Sequence, residues 1–408
     1  MTASACRFCS APLRHTFADL GMSPLANRYL ASEQLGQMEP FYPLHALVCD
    51  QCFLVQLEEF QTPEAIFSDY AYFSSYSSSW LQHARGYVDM IAERLSLDGG
   101  SKVVEIASND GYLLRNFVER GIPVRGVEPA GNVAAVAEEA GIPTLVRFFG
   151  RETATALARE FPADLIVANN VLAHVPDLND FVEGLATVLA PRGAISVEAP
   201  HLLRLIDEVA FDTIYHEHYS YLSLHTVELV FDAHGLAVFD VEPLTTHGGS
   251  LRFWATHRDD APAPSARMET VRAEERAAGI TTPELYSGFT TRVEACRDTF
   301  LAYLADTRES GVEIAAYGAP AKGNTFLNWA GVTADDIRYV VDRSPHKQGL
   351  LLPGSRLPIH APDHVFATKP DHLVILPWNL REEITEQMRG IRDWNGRFVV
   401  AVPTVEIF

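Results

Sequence analysis

The chain has 408 residues, 47% of them hydrophobic and 21% charged, the balance of an ordinary globular protein of two or three domains. Its formal net charge of −21 argues against a nucleic-acid surface, which needs clustered Lys and Arg, and obliges any anionic ligand to find local donors. The opening "MTASACRFCS" has no basic flank followed by an apolar core, and no apolar run approaches the roughly 20 residues that cross a bilayer. Five cysteines in so long a chain do not make a disulfide scaffold. A reduced, cytoplasmic setting without nucleic-acid or membrane partners is the expectation.

In chain order, "CRFC" and "CDQC" come first. They supply Cys6, Cys9, Cys49 and Cys52, two knuckles of the kind that builds a tetrahedral zinc site. With all four ligands from protein, such a Zn²⁺ is structural and leaves no open position for catalysis. The competing reading is four buried or redox-active thiols. A Ser- and Tyr-rich stretch follows, with Tyr70, Tyr72 and Tyr76 too aromatic for a flexible linker. Then Trp80, Leu81, Tyr87, Ile91 and Leu95 recur at helical spacing.

From Lys102 strands and helices alternate. "KVVEIAS", "PVRGVEP", "PTLVRFF", "ADLIVANN", "GAISVEAP", "LAVFDVEPL" and "SLRFWATH" read as strands. Only "TTHGGS" joins the last two, too short for a parallel crossover, so the seventh strand is expected to run antiparallel. Seven strands with the last reversed is the α/β sheet of class I methyltransferases that use S-adenosylmethionine. Ala261 to about Arg308 reads as long helix. A second βα series, "EIAAYGAPAKGNTFLNWAG", "IRYVVDRSP", "HLVILPWNL" and "RFVVAVPTV", predicts a smaller Rossmann-like domain. The expected division is a zinc module over 1–75, a methyltransferase domain over 76–260 and the Rossmann-like domain over 261–408.

In open α/β sheets ligands bind beyond the carboxyl ends of the strands. The first such turn, "EIASNDGYLL", has a single glycine, Gly111, instead of the G-x-G-x-x-G that admits a pyrophosphate. It carries Glu105, Ser108, Asn109 and Asp110. That acidity suits a ligand with an ammonium and a sulfonium and so favours S-adenosylmethionine over a dinucleotide. Glu128 and Pro129 end the second strand, where a carboxylate can accept ribose hydroxyls, and Asn169 ends the fourth.

Between the fifth strand and the helix "HTVELVFDAHG" lies "YHEHYSYLS". His216-Glu217-His218 lacks the i, i+4 spacing of a helical metal pair. A plain surface loop leaves the gathering of His and Tyr at one sheet edge unexplained. The favoured reading is a general base with orienters: an imidazole takes the proton and a carboxylate fixes its tautomer. In an extended conformation Tyr215, Glu217 and Tyr219 would share one side and the two histidines the other. His174 follows the fourth strand and His247 the sixth, both at this edge. In "YGAPAKGN" the turn amides and Lys322 could bind a diphosphate, with Arg343 a further cation.

Together the cysteine knuckles, "DLGMSPLANRYL", "SSYSSSWLQHA", "EIASNDGYLL", "YHEHYSYLS", "THGGSLR" and "GAPAKGNTFLN" resemble the sugar C-methyltransferases of deoxysugar biosynthesis, over essentially the whole chain. The resemblance implies a zinc module, a methyltransferase domain, and a C-terminal domain that helps hold a thymidine-diphosphate (dTDP) 4-keto-6-deoxysugar. It implies methyl transfer to a carbon beside the C4 ketone, C3 being favoured, in antibiotic biosynthesis. It makes His218 the base, with Tyr215, Glu217 and His174 nearby, and Tyr70 or Tyr72 facing the substrate. Cofactor contacts then fall to Glu105, Ser108, Asn109, Asp110, Gly111, Glu128, Pro129 and Asn169. Sugar-nucleotide contacts fall to His247, Lys322, Asn324 and Arg343. A monomer or weak homo-oligomer is expected. An O- or N-methyltransferase, or a non-catalytic scaffold that binds S-adenosylmethionine, are the competing functions.

Overall fold

The structure, a computed structural model, describes residues 4–67, 75 and 78–408, and of residues 67, 78–80 and 247 the backbone only. Tyr70, Tyr72 and Tyr76 lie outside the described residues, as does the side chain of His247. No described helix is long and apolar enough to cross a membrane.

Strands β1 (His15–Ser23), β2 (Tyr42–Val48) and β3 (Val55–Leu57) form an antiparallel sheet beside the four cysteines. The two knuckles repeat one backbone design. In each, the first cysteine's carbonyl accepts the amide four residues on, Ser10 or Phe53, and those residues adopt φ of 60° and 59°. Each first cysteine's own amide donates five residues on, to Ala11 or Leu54. The four Sγ atoms lie within 4.8 Å of one another, with Cys6–Cys52 at 3.6 Å and Cys9–Cys49 at 3.5 Å. Zinc–sulfur bonds of about 2.3 Å set tetrahedral sulfurs about 3.8 Å apart, so this cluster fits a structural Zn²⁺ held by all four thiolates.

The central sheet follows: β4 (Val103–Ile106), β5 (Val124–Val127), β6 (Thr144–Leu145), β7 (Ala163–Asn169) and β8 (Leu189–Pro200). The next strand, β9 (Ser220–Tyr221), leaves this sheet and pairs antiparallel with β3. β10 (Leu236–Leu244) and β11 (Ser250–His257) complete the seven-stranded order β10-β11-β8-β7-β4-β5-β6. β11 is antiparallel to both neighbours and the remaining pairs are parallel, the class I methyltransferase sheet expected from the short connection. The third expected strand is cut to two residues because it is the sheet edge: beyond Leu145, Val146 and Phe148 turn to solvent.

The expected single long helix after Ala261 is three helices, Ala266–Ala278, Pro283–Ser287 and Phe289–Glu309. Gly279 takes the left-handed conformation (φ 84°) and caps the first, and Pro283 starts the second. The last sheet comprises β12 (Ile314–Tyr317), β13 (Val340–Val341), β14 (Ile359–His360), β15 (His372–Ile375), β16 (Arg397–Val400) and β17 (Glu406–Ile407). Its order is β14-β13-β12-β15-β16-β17, parallel except for β17. β14 and β17, two residues each, were too short to show a period in the sequence.

Two of the apolar clusters do not follow the chain's divisions. Phe17 and Leu44 of the N-terminal sheet, Phe211 from the loop after β8, and Phe289, Phe300 and Phe326 of the C-terminal part share one core. Phe17 stacks on Phe289 at 4.3 Å between ring centroids and 4° between planes. The N-terminal sheet therefore has no core of its own, and losing its metal should loosen a shared one. Cys49→Ser, or chelation, is expected to remove bound zinc and lower the thermal midpoint by about 5–10 °C, the scale of a few kcal/mol in a chain this size. Metal analysis with calorimetry reads this; an unchanged midpoint after complete metal removal contradicts it.

Candidate active site

The turn after β4 is built from backbone that few residues tolerate. Ala107, Asn109 and Gly111 have φ of 56°, 50° and 75°. A Cβ on Gly111 would lie 2.3 Å from Ile142 Cδ1, and one on Gly126, in the adjoining strand, 2.4 Å from Ser108 Oγ. Glu128 fixes the turn by accepting the amides of Asn109 and Ala130, both at 2.9 Å. Each of its oxygens keeps a second lone pair for a ribose hydroxyl. Pro129 is half-buried behind it. Asp110 accepts the Ser75 amide at 3.1 Å through one oxygen.

What remains is a set of buried atoms with no hydrogen-bond partner among the described residues: Glu105 Oε2, Ser108 Oγ, the other Asp110 oxygen and Asn169 Oδ1. Burial, with Glu128 and Asp110 beside it, pushes the Glu105 carboxyl well above the usual range. Burial likewise raises Glu128. Three acids and two further acceptors crowded at one sheet edge need a cation that donates hydrogen bonds. S-adenosylmethionine, with an ammonium, a sulfonium and ribose hydroxyls, fits that donor-poor, acid-rich set and is the methyl donor here. An inorganic or dinucleotide phosphate does not fit.

The loop after β8 is not extended at "YHEH". The His218 amide donates to the Tyr215 carbonyl (2.8 Å), closing a turn that places Tyr215 and His218 on one side. The alternation that an extended stretch would have shown does not apply. The Tyr215 hydroxyl lies 2.8 Å from His218 Nε2, and His218 Nδ1 lies 2.9 Å from the Thr213 carbonyl. A carbonyl can only accept, so Nδ1 carries the proton and Nε2 offers its lone pair. A backbone carbonyl, not the expected carboxylate, thus sets the tautomer. The ring of His174, just past β7, stands edge-on to His218 with centroids 4.7 Å apart.

His216 turns the other way. Its Nε2 donates to the Pro43 carbonyl at 3.1 Å, its ring meets Tyr42 edge-on, and burial lowers its pKa. It anchors the loop to β2. Glu217 is also buried, accepting from Asn27 Nδ2 at 2.7 Å. Asn27 belongs to a strap, Ala26–Leu30, that the C-terminal domain grips. Asn324 Nδ2 donates to the Ala26 carbonyl (2.6 Å), the Tyr29 hydroxyl to the Ala319 carbonyl (2.6 Å), and Leu30 bridges Leu351. Lys347, over the Tyr29 ring, donates to the same Ala319 carbonyl and adds positive field at Glu217. Neither Asn27 nor Lys347 was singled out from the sequence. "DLGMSPLANRYL" and the "SPHK" turn are the stretches that hold them.

The expected diphosphate contacts are distributed differently. The Ala319 amide is engaged by Asp342 (2.7 Å). The Lys322 ammonium donates to Asn379 Oδ1 (2.9 Å), lies over the Trp378 ring and faces buried Asp212 instead of opening to solvent. Burial lowers Lys322 and raises Asp212, whose carboxylate accepts the Trp378 indole N–H at 2.8 Å. Asn324 is buried on the strap, and Arg343 is an exposed partner of Glu383. The structure therefore brings Tyr215, Glu217, His218 and His174 to one place, and leaves Arg343 outside it.

Burial pushes the Glu217 carboxyl up to about 7, against the opposing pull of Asn27 and Lys347. With the folded pKa above the unfolded one, its stabilising contribution is complete below about pH 4.5 and is lost as pH rises to about 7. Glu217→Gln keeps the acceptor for Asn27 and removes the titration. The difference in unfolding free energy, variant minus wild type, read from denaturant unfolding, should grow across that window by an amount on the order of 3 kcal/mol. A difference that stays flat from pH 5 to 8 contradicts the burial argument.

Comparison with known proteins agrees with this layout. Family models match in three blocks: a zinc binding domain at residues 6–67, a methyltransferase domain at 80–241 and a C-methyltransferase C-terminal domain at 245–403. C-methyltransferase NovU of Streptomyces niveus is 36% identical over 406 residues, covering 98% of this chain and 95% of that protein. A ubiquinone biosynthesis O-methyltransferase of Stutzerimonas stutzeri is 32% identical over 114 residues, 26% of this chain and 47% of that protein. Among solved structures, an S-adenosylmethionine-dependent methyltransferase from Clostridium acetobutylicum covers 43% of this chain and 92% of its own at 11% identity, with a TM-score of 0.36. Magnesium protoporphyrin IX methyltransferase from Synechocystis covers 43% of this chain and 83% of its own at 14% identity, with a TM-score of 0.35. Matched end to end by a C-methyltransferase, with its cysteine cluster and reversed-strand sheet in place, this chain belongs to the C-methyltransferase family.

Proposed function

We propose that the enzyme methylates a carbon beside the C4 ketone, C3 being favoured, of a dTDP-4-keto-6-deoxysugar, with His218 as general base. The observation that carries the reading is the Tyr215–His218 pair: a basic Nε2 whose tautomer is locked by Thr213, with a phenol 2.8 Å away. A ketone acidifies its neighbouring C–H, and the enolate formed places negative charge on the adjacent oxygen. One group must take the proton while another, beside it, meets that oxygen. Tyr215 and His218 are spaced for this division of labour. On substrate arrival the phenol exchanges Nε2 for the enolate oxygen, and Nε2 takes the α-proton. His174 lines the same side and can donate to the oxygen once protonated.

S-adenosylmethionine, when bound, supplies the electrophilic methyl that the enolate carbon takes up. Glu105, Asp110 and Asn169 hold its charged end and Glu128 its ribose, so the chain's acids serve the donor. Lys322 and Lys347 stand where the C-terminal domain meets the catalytic turn and compensate the −21 background there. Glu217, between Asn27 and Lys347, stiffens the turn. Domain limits near residues 75 and 260, a cytoplasmic setting and a monomeric or weakly associating chain accompany this reading.

The test is turnover of dTDP-4-keto-6-deoxysugars with NMR location of the new methyl, together with solvent exchange of the α-proton in the absence of methyl donor. His218→Ala should lose turnover and exchange by about 10²–10⁴-fold while donor affinity changes little. His216→Ala should keep exchange yet lose about 1–3 kcal/mol of stability, because the Pro43 carbonyl loses its donor. Exchange that survives intact in His218→Ala would sink the base assignment.

A further inference from the structure

Arg7 lies between the first two cysteines, and its guanidinium reaches two loops far away in the chain. One Nη donates to the Pro176 carbonyl at 2.5 Å and the other to the Leu57 carbonyl. The guanidinium also sits over the Tyr219 ring, 5.3 Å from its centroid. Its main chain is held as well. The Arg7 amide donates to Gln56 Oε1 (2.9 Å), whose Nε2 donates to Cys6 Sγ (3.2 Å), and Asn179 Nδ2 donates to the Arg7 and Phe8 carbonyls. Pro176 is two residues past His174, Tyr219 is next to His218, and Leu57 is the β3 residue whose amide takes the Tyr219 carbonyl at 3.0 Å. One rigid fork thus touches both segments that carry the paired imidazoles. Burying a guanidinium against carbonyls costs desolvation that an apolar side chain would avoid.

We propose that Arg7 is a positioning residue that ties the cysteine knuckle to the His174–His218 pair and sets the spacing of the two rings. Arg7 does not touch the reacting atoms. Its planar fork spans two carbonyls on different segments at once, which a lysine ammonium on a flexible stem cannot hold in fixed register. The consequence for turnover rests on the base assignment above; the consequence for ring spacing does not.

Arg7→Met and Arg7→Lys should be prepared with zinc content measured by atomic emission and folding by calorimetry. Histidine ring resonances, assigned through His174→Gln and His218→Gln, give a readout independent of substrate. The expected result is one zinc per chain, shifted resonances for both His174 and His218, and unmoved resonances for His360 and His364 in the last domain. Turnover on the keto-sugar should fall about 10- to 100-fold, the scale of an ångström-level misplacement, with KM for S-adenosylmethionine within about twofold. Arg7→Lys, which keeps the cation over Tyr219, should shift the rings less, and it decides the matter if Arg7→Met does not fold. Zinc-loaded, folded Arg7→Lys and Arg7→Met with wild-type resonances would overturn the proposal. Absence of turnover in the wild type would sink the keto-sugar reading alone, since the ring resonances still decide the role of Arg7.

Discussion

The pairing of β9 with β3 is the constraint on which the rest depends. Two residues after His218 the chain, which left the methyltransferase sheet at Pro200, adds itself to the edge of the cysteine-bearing one, Ser220 opposite Gln56 and Tyr221 opposite Val55. Backbone hydrogen bonding fixes register to a single residue, and a slip of one would reverse every side chain. The turn that brings Tyr215 to His218 is therefore aimed by an element whose ligand is a metal, not a substrate. The metal's chemistry is structural, but its mechanical reach extends to His218, the proposed base.

The same turn is held from two further directions. Upstream, Asp212 accepts from Trp378 and the Ile214 carbonyl accepts from Thr325, both partners in the C-terminal domain. Between them, Glu217 binds the strap. These are buried ionisable or polar contacts, which contribute less to net stability than apolar packing of equal volume but are costly to leave half-made. They lie where all three parts of the chain meet, while aliphatic side chains such as Val104, Ile166 and Val197 pack on the methyltransferase sheet. The distribution suits a rigid donor-binding scaffold carrying a base whose orientation is over-determined by its surroundings.

The reversal of the last strand was legible in the sequence because the connection before it is too short for a parallel crossover, and the zinc site because paired CxxC knuckles favour tetrahedral coordination. The acidic turn was legible by chemistry: Glu105 and Asp110 are wrong for phosphate and right for a cation. Less could be read of the "YHEH" stretch. A tight turn carries no period, so the sides could be assigned only for an extended chain, and the Thr213 carbonyl that sets the tautomer has no side-chain signature. Lys322 read as a cation for a diphosphate, and its partners Asn379 and Trp378 could not be foreseen because a distant loop supplies them. Asn27 meets Glu217 across 190 positions, a separation at which only the folded chain connects them.

The shared core around Phe17 and Phe289 has a consequence for how the protein is made. During synthesis β3 emerges with an unpaired edge, and Phe17 lacks its partner rings until the chain has grown to Tyr286 and Phe289. The first fifty or so residues must wait, with metal bound or not, for more than two hundred others before their apolar face is covered. Contacts of such long sequence separation are slow to form and leave surface open to misassociation meanwhile. The turn that carries His218, pinned by the earliest and the latest segments of the chain, can take its final shape only when both are in place.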